Sequence, residues 1–178
     1  LVARTAWTQD LEVYSEYGQF QIGDRKSLLA FEWDAEALQR HLAVAADVIS
    51  VATTTMYGNV AVRIEGWEAK PPLDLSPFDQ VVEASLEVPT GLLSLTSVSS
   101  NIKLATQLTP GWFRIRVASQ NLANGAGGVA TRRGDDRYLV QLWPEVERLP
   151  SVLKKWAGWP DASPPSQPVT DIPKTDFV

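Results

Sequence analysis

The chain has 178 residues, no cysteine, one histidine and one methionine. Without thiols there are no disulfides, no thiolate metal sites and no thiolate catalysis. The single histidine, His41, falls in a predicted helix, three residues after Leu38. A zinc site there would need carboxylate ligands alone, and a Ser-His-Asp mechanism would have to recruit the ring from that helix, so a structural role is expected. No G-x-S-x-G elbow occurs. Gly125, Gly127 and Gly128 have neither the lysine nor the strand-to-helix setting of a phosphate loop, and Asp135-Asp136 lacks the spacing of an EF-hand. The sequence therefore reads as non-enzymatic, with no catalytic residue, no metal and no cofactor.

Long apolar runs are also missing. No stretch approaches the length of a spanning helix, and the opening LVARTAWTQD has no apolar signal core, so no membrane association and a cytoplasmic location are expected. Positive charge is in the minority: Lys and Arg number 16 against 21 Asp and Glu, a net charge of −5. That balance argues against non-specific nucleic-acid binding, which needs clustered cations. It suits a basic partner, or serves only for solubility.

What the sequence does have is β patterning. VVEASLEVP-TGLLSL (81–95), GWFRIRVAS (111–119) and RYLVQLWP (137–144) alternate apolar and polar residues with period two. Each predicts a strand with one buried and one wet face. The pattern predicts a mainly β chain, an antiparallel β-sandwich of jelly-roll type with one short helix. Residues 1–159 form the domain, and 160–178 an extended proline-rich tail.

Along the chain, 11–22 reads as one strand interrupted at Gly18. Asp34 caps the helix, with Trp33 and Leu38 as its staple and Leu38, Leu42 and Ala45 on one face. Residues 47–69 read as a hairpin turning at Gly58. A connection over 70–79 has a single helical turn, capped by Ser76 and opened by Pro77. Residues 146–159 add a short amphipathic turn whose tryptophans pack back on the body. Val82, Leu86, Phe113, Ile115, Val117, Val140 and Leu142 make one core. Glu83, Ser85 and Glu87 on one strand, and Arg114 and Arg116 on another, are expected to face solvent, pairing across strands if the two are neighbours.

Two groups of residues are candidates for binding. The glycine-rich connection over 120–136 leads into Arg132, Arg133 and Arg137, which offer forked donors beside Asp135 and Asp136. Seven tryptophans include Trp33, Trp112 and Trp143, placed as structural, and Trp67, Trp156 and Trp159, which border loops where an aromatic can serve a binding surface.

The succession YGQF (17–20), TTT-x-x-G (53–58), D-x-VVEASLEVP-x-G (79–91), GWFRIRV (111–117) and RYLVQLWP (137–144) is similar to that of small bacterial β-rich proteins of the competence-protein-J group, over roughly residues 11–145. The named member of that group is a nuclease inhibitor. The resemblance implies a protein-binding role, that of an inhibitor or immunity-type protein with a protein partner such as a basic nuclease. It transfers no site residues. The alternative is a carbohydrate or small-ligand module, with loop-edge tryptophans stacking on a sugar and Asp135 or Asp136 accepting its hydroxyl protons.

Overall fold

Strands with one apolar face must bury it, and here two sheets bury theirs against each other. The computed structural model describes residues 3–24, 33–98, 102–124 and 134–158; among these are eleven strands and one α-helix. Six strands form the first sheet: β1 (Thr5–Glu16), β5 (Tyr57–Trp67), β6 (Gln80–Val88), β9 (Gly111–Gln120), β10 (Arg137–Pro144) and β11 (Ser151–Lys154). Their spatial order is β1-β5-β10-β9-β6-β11. The second sheet holds β2 (Gln19–Asp24), β3 (Leu42–Val44), β4 (Val48–Ala52), β7 (Leu92–Ser97) and β8 (Ile102–Gln107), in the order β3-β4-β2-β7-β8. Neighbours among the described residues run antiparallel except β5 and β10, which are parallel, with Val62 beside Tyr138 and Ile64 beside Val140.

The core is the layer between the sheets. All seven residues expected there belong to one cluster, joined from the second sheet by Phe20, Ile22, Ile49, Val51, Leu93 and Leu95. Each such side chain, fully buried, contributes on the order of 1.5–3 kcal/mol. Trp7 reaches the edge of this layer by lying against Gly66, where a Cβ would come within 2.2 Å of the indole Nε1.

Several local expectations are corrected. The interrupted strand over 11–22 is two strands, β1 and β2, in different sheets. Tyr17 and Gly18, at φ 55° and 68°, turn the chain between them. The helix α1 (Ala35–Arg40) is capped by Asp34, whose carboxylate accepts from Ala37 N at 2.7 Å. It stops sooner than the spacing predicts, because His41 adopts φ 56° and closes the end with its N–H on Leu38 O. Leu42 thus opens β3, Ala45 lies beyond that strand, and His41 is a cap residue rather than a helix residue. Ala37 is the helix's buried contact.

The hairpin over 47–69 does not form. β4 and β5 lie in different sheets, and Gly58 sits inside β5, whose eleven residues pair instead with β1, which bulges at Ala6 between Thr5 and Trp7. At 74–76 the capping group is Asp74, accepting from Ser76 N and Oγ at 2.9 Å, and the chain makes a turn only. In place of an amphipathic turn after Pro144, Ser151–Lys154 adds an edge strand to β6, Val152 opposite Val82. The tail from 160 onward lies outside the described residues.

Candidate functional site

The second face of the first sheet points away from the core, and register carries one polar row across it. Glu65 stands beside Gln141, Gln141 beside Arg116, and Arg116 beside Glu83. Gln141 donates to Glu65 at 2.9 Å and accepts from Arg116 Nη1 at 3.0 Å, while Arg116 Nε and Nη2 both donate to Glu83. Arg116 also lies over the Trp143 ring, 5.1 Å from its centroid. Its Nη1 donates further to the carbonyls of Pro71 and Pro72.

One strand position away, Arg114 donates to Ser85 Oγ, Ser151 Oγ and the carbonyls of Arg148 and Leu149. All of the expected solvated rows but Glu87, which is half-buried, are therefore buried: Arg114 is 3% exposed, Arg116 0%, Glu83 5% and Ser85 5%. The reason is that segments 70–72 and 148–149 fold over this half of the sheet, and their carbonyls complete the guanidinium donor sets. A buried Arg is tolerable only when its donors are used in this way.

The other half of the same face, over β1, β5 and β10, is not covered by any of the described residues. It forms a shallow groove lined by Asp10, Glu12, Ala61, Arg63, Glu65, Arg137 and Leu139. Arg63 holds Asp10 in a two-pronged pair at 2.7 and 2.9 Å, and this hydrogen bond keeps the Asp10 carboxyl below its ordinary range. At one end the groove runs into an aromatic corner. Glu16 pairs with Tyr57 and Tyr14 with Asn59 across β1 and β5, and the Tyr17 ring meets the Tyr57 ring edge-on at 5.3 Å. Tyr14, Tyr17 and Met56 are exposed. Burial, followed by the neighbouring Tyr17, Glu16 and Tyr14, raises the Tyr57 hydroxyl above its usual range.

The residues singled out from the sequence are scattered by this arrangement. Arg137 stands exposed in the groove, opposite Ala61, and Trp67 is half-buried on β5 with its indole N–H on Glu65 at 2.9 Å. Asp135 is exposed, its carbonyl accepting from Asn121. Asp136 is fully buried, and its carboxylate accepts from Thr54 N, Thr55 N, Thr55 Oγ1 and Tyr138 OH. Those bonds pin the 53–55 segment and occupy the oxygens a sugar would need. Trp156 packs edge-on against His41 beside β6, across the sheet from the groove. Arg132, Arg133 and Trp159 lie outside the described residues.

Sequence reasoning missed the corner of Tyr14, Tyr17, Met56 and Tyr57, with Glu12 and Glu16 at its rim. A signal for part of it existed: period two through LEVYSE sets Glu12, Tyr14 and Glu16 on the face opposite Val13 and Ser15. Among the described residues no group of three His, Asp or Glu side chains gathers to hold a metal ion. No described helix is long and apolar enough to cross a membrane.

No known family model and no curated protein sequence matches the chain. Its fold is similar to two solved structures. One is ComJ, inhibitor of the DNA degrading activity of NucA, from Bacillus subtilis, at a TM-score of 0.57 and 16% identity, covering 82% of this chain and 100% of that one. The other is the product of crocagin biosynthetic gene J, at 0.51 and 15%, covering 79% and 99%. The resemblance expected from the sequence holds at the level of the fold.

Proposed function

We propose that this chain is a non-enzymatic protein-binding β-sandwich that inhibits a basic protein of the nuclease class by covering its nucleic-acid surface. The observation that carries the reading is the half of the first sheet that no described segment covers, where Asp10 opposes Arg63, Glu12 and Arg137 flank Ala61, and Glu16 and Glu65 extend the row, so that carboxylates outnumber guanidinium groups. A nuclease meets the phosphate backbone through clustered Lys and Arg. Carboxylates fixed on rigid strands offer that surface a competing set of anions. The net charge of −5 extends the attraction beyond contact and speeds encounter at low salt. The fold likeness to ComJ, an inhibitor of a DNA-degrading activity, supports the same reading.

Titrating the chain into DNA-degradation assays with purified NucA and a panel of basic DNases tests it. Degradation by at least one enzyme is expected to fall to a plateau at stoichiometric ratio, and to recover as salt is raised. Unchanged degradation across the panel, with no heat of binding by calorimetry, overturns the proposal.

A further inference from the structure

Tyrosine is a costly choice at a left-handed backbone position. Tyr17 has φ 55°, where its Cβ is strained and Gly or Asn would sit freely, and it is 62% exposed, so core packing does not hold it there. An exposed aromatic at a strained backbone position points to a role in contact rather than in packing. Its ring stands edge-on to Tyr57, with Tyr14 38% exposed on the adjoining strand. Opposite Tyr57 on the paired strand, Glu16 Oε2 is buried with no hydrogen-bond donor among the described residues.

Electron-rich ring faces and an unsatisfied carboxylate oxygen ask for the same thing, a cation with N–H donors. We infer that the corner formed by Tyr14, Tyr17 and Tyr57 beside Glu16 receives an arginine or lysine side chain of a basic protein partner, the anchor of the interface; the inference rests on the protein-binding reading above. Charge complementarity selects this occupant over a second copy of the chain. A two-fold contact through this corner would set Glu12 and Glu16 against their own counterparts, and like charges in apposition repel.

Two probes test the corner independently of each other. The first is whichever panel nuclease the chain inhibits. The second is a phage-displayed random peptide library selected on the intact chain. Arg- and Lys-rich peptides are expected to emerge. Tyr17→Asn and Glu16→Gln should each weaken them, and the nuclease, by on the order of tenfold. Ile102→Ser, at an exposed site on β8 of the second sheet, should leave both unchanged. Asn accepts the left-handed backbone, so Tyr17→Asn should melt no lower than the parent by more than a few degrees; should it fail to fold, Glu16→Gln still decides.

Nuclease inhibition that survives both substitutions overturns the corner and leaves the inhibitor reading standing. Cationic peptides that depend on Tyr17 and Glu16, with no nuclease inhibited, uphold the corner and remove the inhibitor reading. A selection yielding no cationic peptides, or peptides indifferent to both substitutions, overturns the corner.

Discussion

Glu83 Oε1 accepts from both Nε and Nη2 of Arg116, at 3.0 and 2.9 Å, with neither side chain more than 6% exposed. Its other oxygen faces Arg114 Nε at 3.5 Å, and Lys70 Nζ lies 3.7 Å from Oε1. One carboxylate thus sits among three cations, two of them buried. Replacing it with a neutral amide strands two guanidinium charges away from water, and breaking a buried pair in this way costs on the order of 3–5 kcal/mol. Glu83→Gln should show that loss in urea unfolding, with the slope unchanged. A loss under about 1 kcal/mol would mean that the backbone carbonyls alone satisfy the two arginines.

Among the described residues the buried carboxylate of Asp136 accepts from Thr54 N, Thr55 N, Thr55 Oγ1 and, at 2.6 Å, Tyr138 OH. Burial, followed by the charge of Asp136, holds the Tyr138 hydroxyl well above its usual range, so it remains a donor. In Asp136→Asn the new amide points its own N–H groups at donors. The expected cost is about 2–4 kcal/mol, combining a lost charged hydrogen bond with unsatisfied partners. Hydrogen exchange at Thr54 and Thr55 should accelerate before the rest of the sheet opens. Parent-like protection of those two amides would deny Asp136 its role in pinning the turn.

His41 is 5% exposed, and burial, with the charge of Lys155 adding to it, lowers its pKa from 6.5 to about 4. Between those values the unfolded chain binds a proton that the folded chain refuses. Stability from this group is therefore full above pH 6.5 and is lost as pH falls toward 4, by up to about 3 kcal/mol. Carboxylates titrate below this window's upper half, so the comparison is with His41→Asn, whose side chain tolerates the left-handed cap. From pH 7 to about 5, parent stability should decline and the variant should stay flatter. Trp156, edge-on to His41 at 6.1 Å, provides the fluorescence signal. Parallel pH profiles would refute the assignment.

Much of the fold was legible because the pleat itself imposes period two. The alternation in GWFRIRV and RYLVQLW placed Phe113, Ile115, Val117, Val140 and Leu142 inward without knowledge of any partner strand. The cap at Asp34 was equally local, needing only its carboxylate and the amide of Ala37. Of the residues named from the sequence, Arg137 is exposed in the groove, while Trp67 is half-buried beside Glu65 and lines a separate hollow with Trp7 and Leu108. The tyrosine corner was not named, because it is assembled from residues 14–17 and 56–57, which meet only when β1 pairs with β5.

Sequence by itself thus determined which side of each confident strand is apolar, since side-chain alternation is a property of a single extended chain. Only the tertiary structure decided which strands are neighbours. Alternation is the same beside any partner, and nothing in 48–67 reveals that β4 and β5 part into different sheets while β5 runs parallel to β10. Tertiary structure likewise decided the fate of the polar face. Arg114, Arg116 and Glu83 read as solvated on their own strands and are buried because segments 70–72 and 148–149 bring carbonyls to meet them. The same face over β1 and β5 receives no such cover from the described residues, and Asp10, Arg63, Arg137, Tyr14 and Tyr17 stay exposed there, where a partner can reach them.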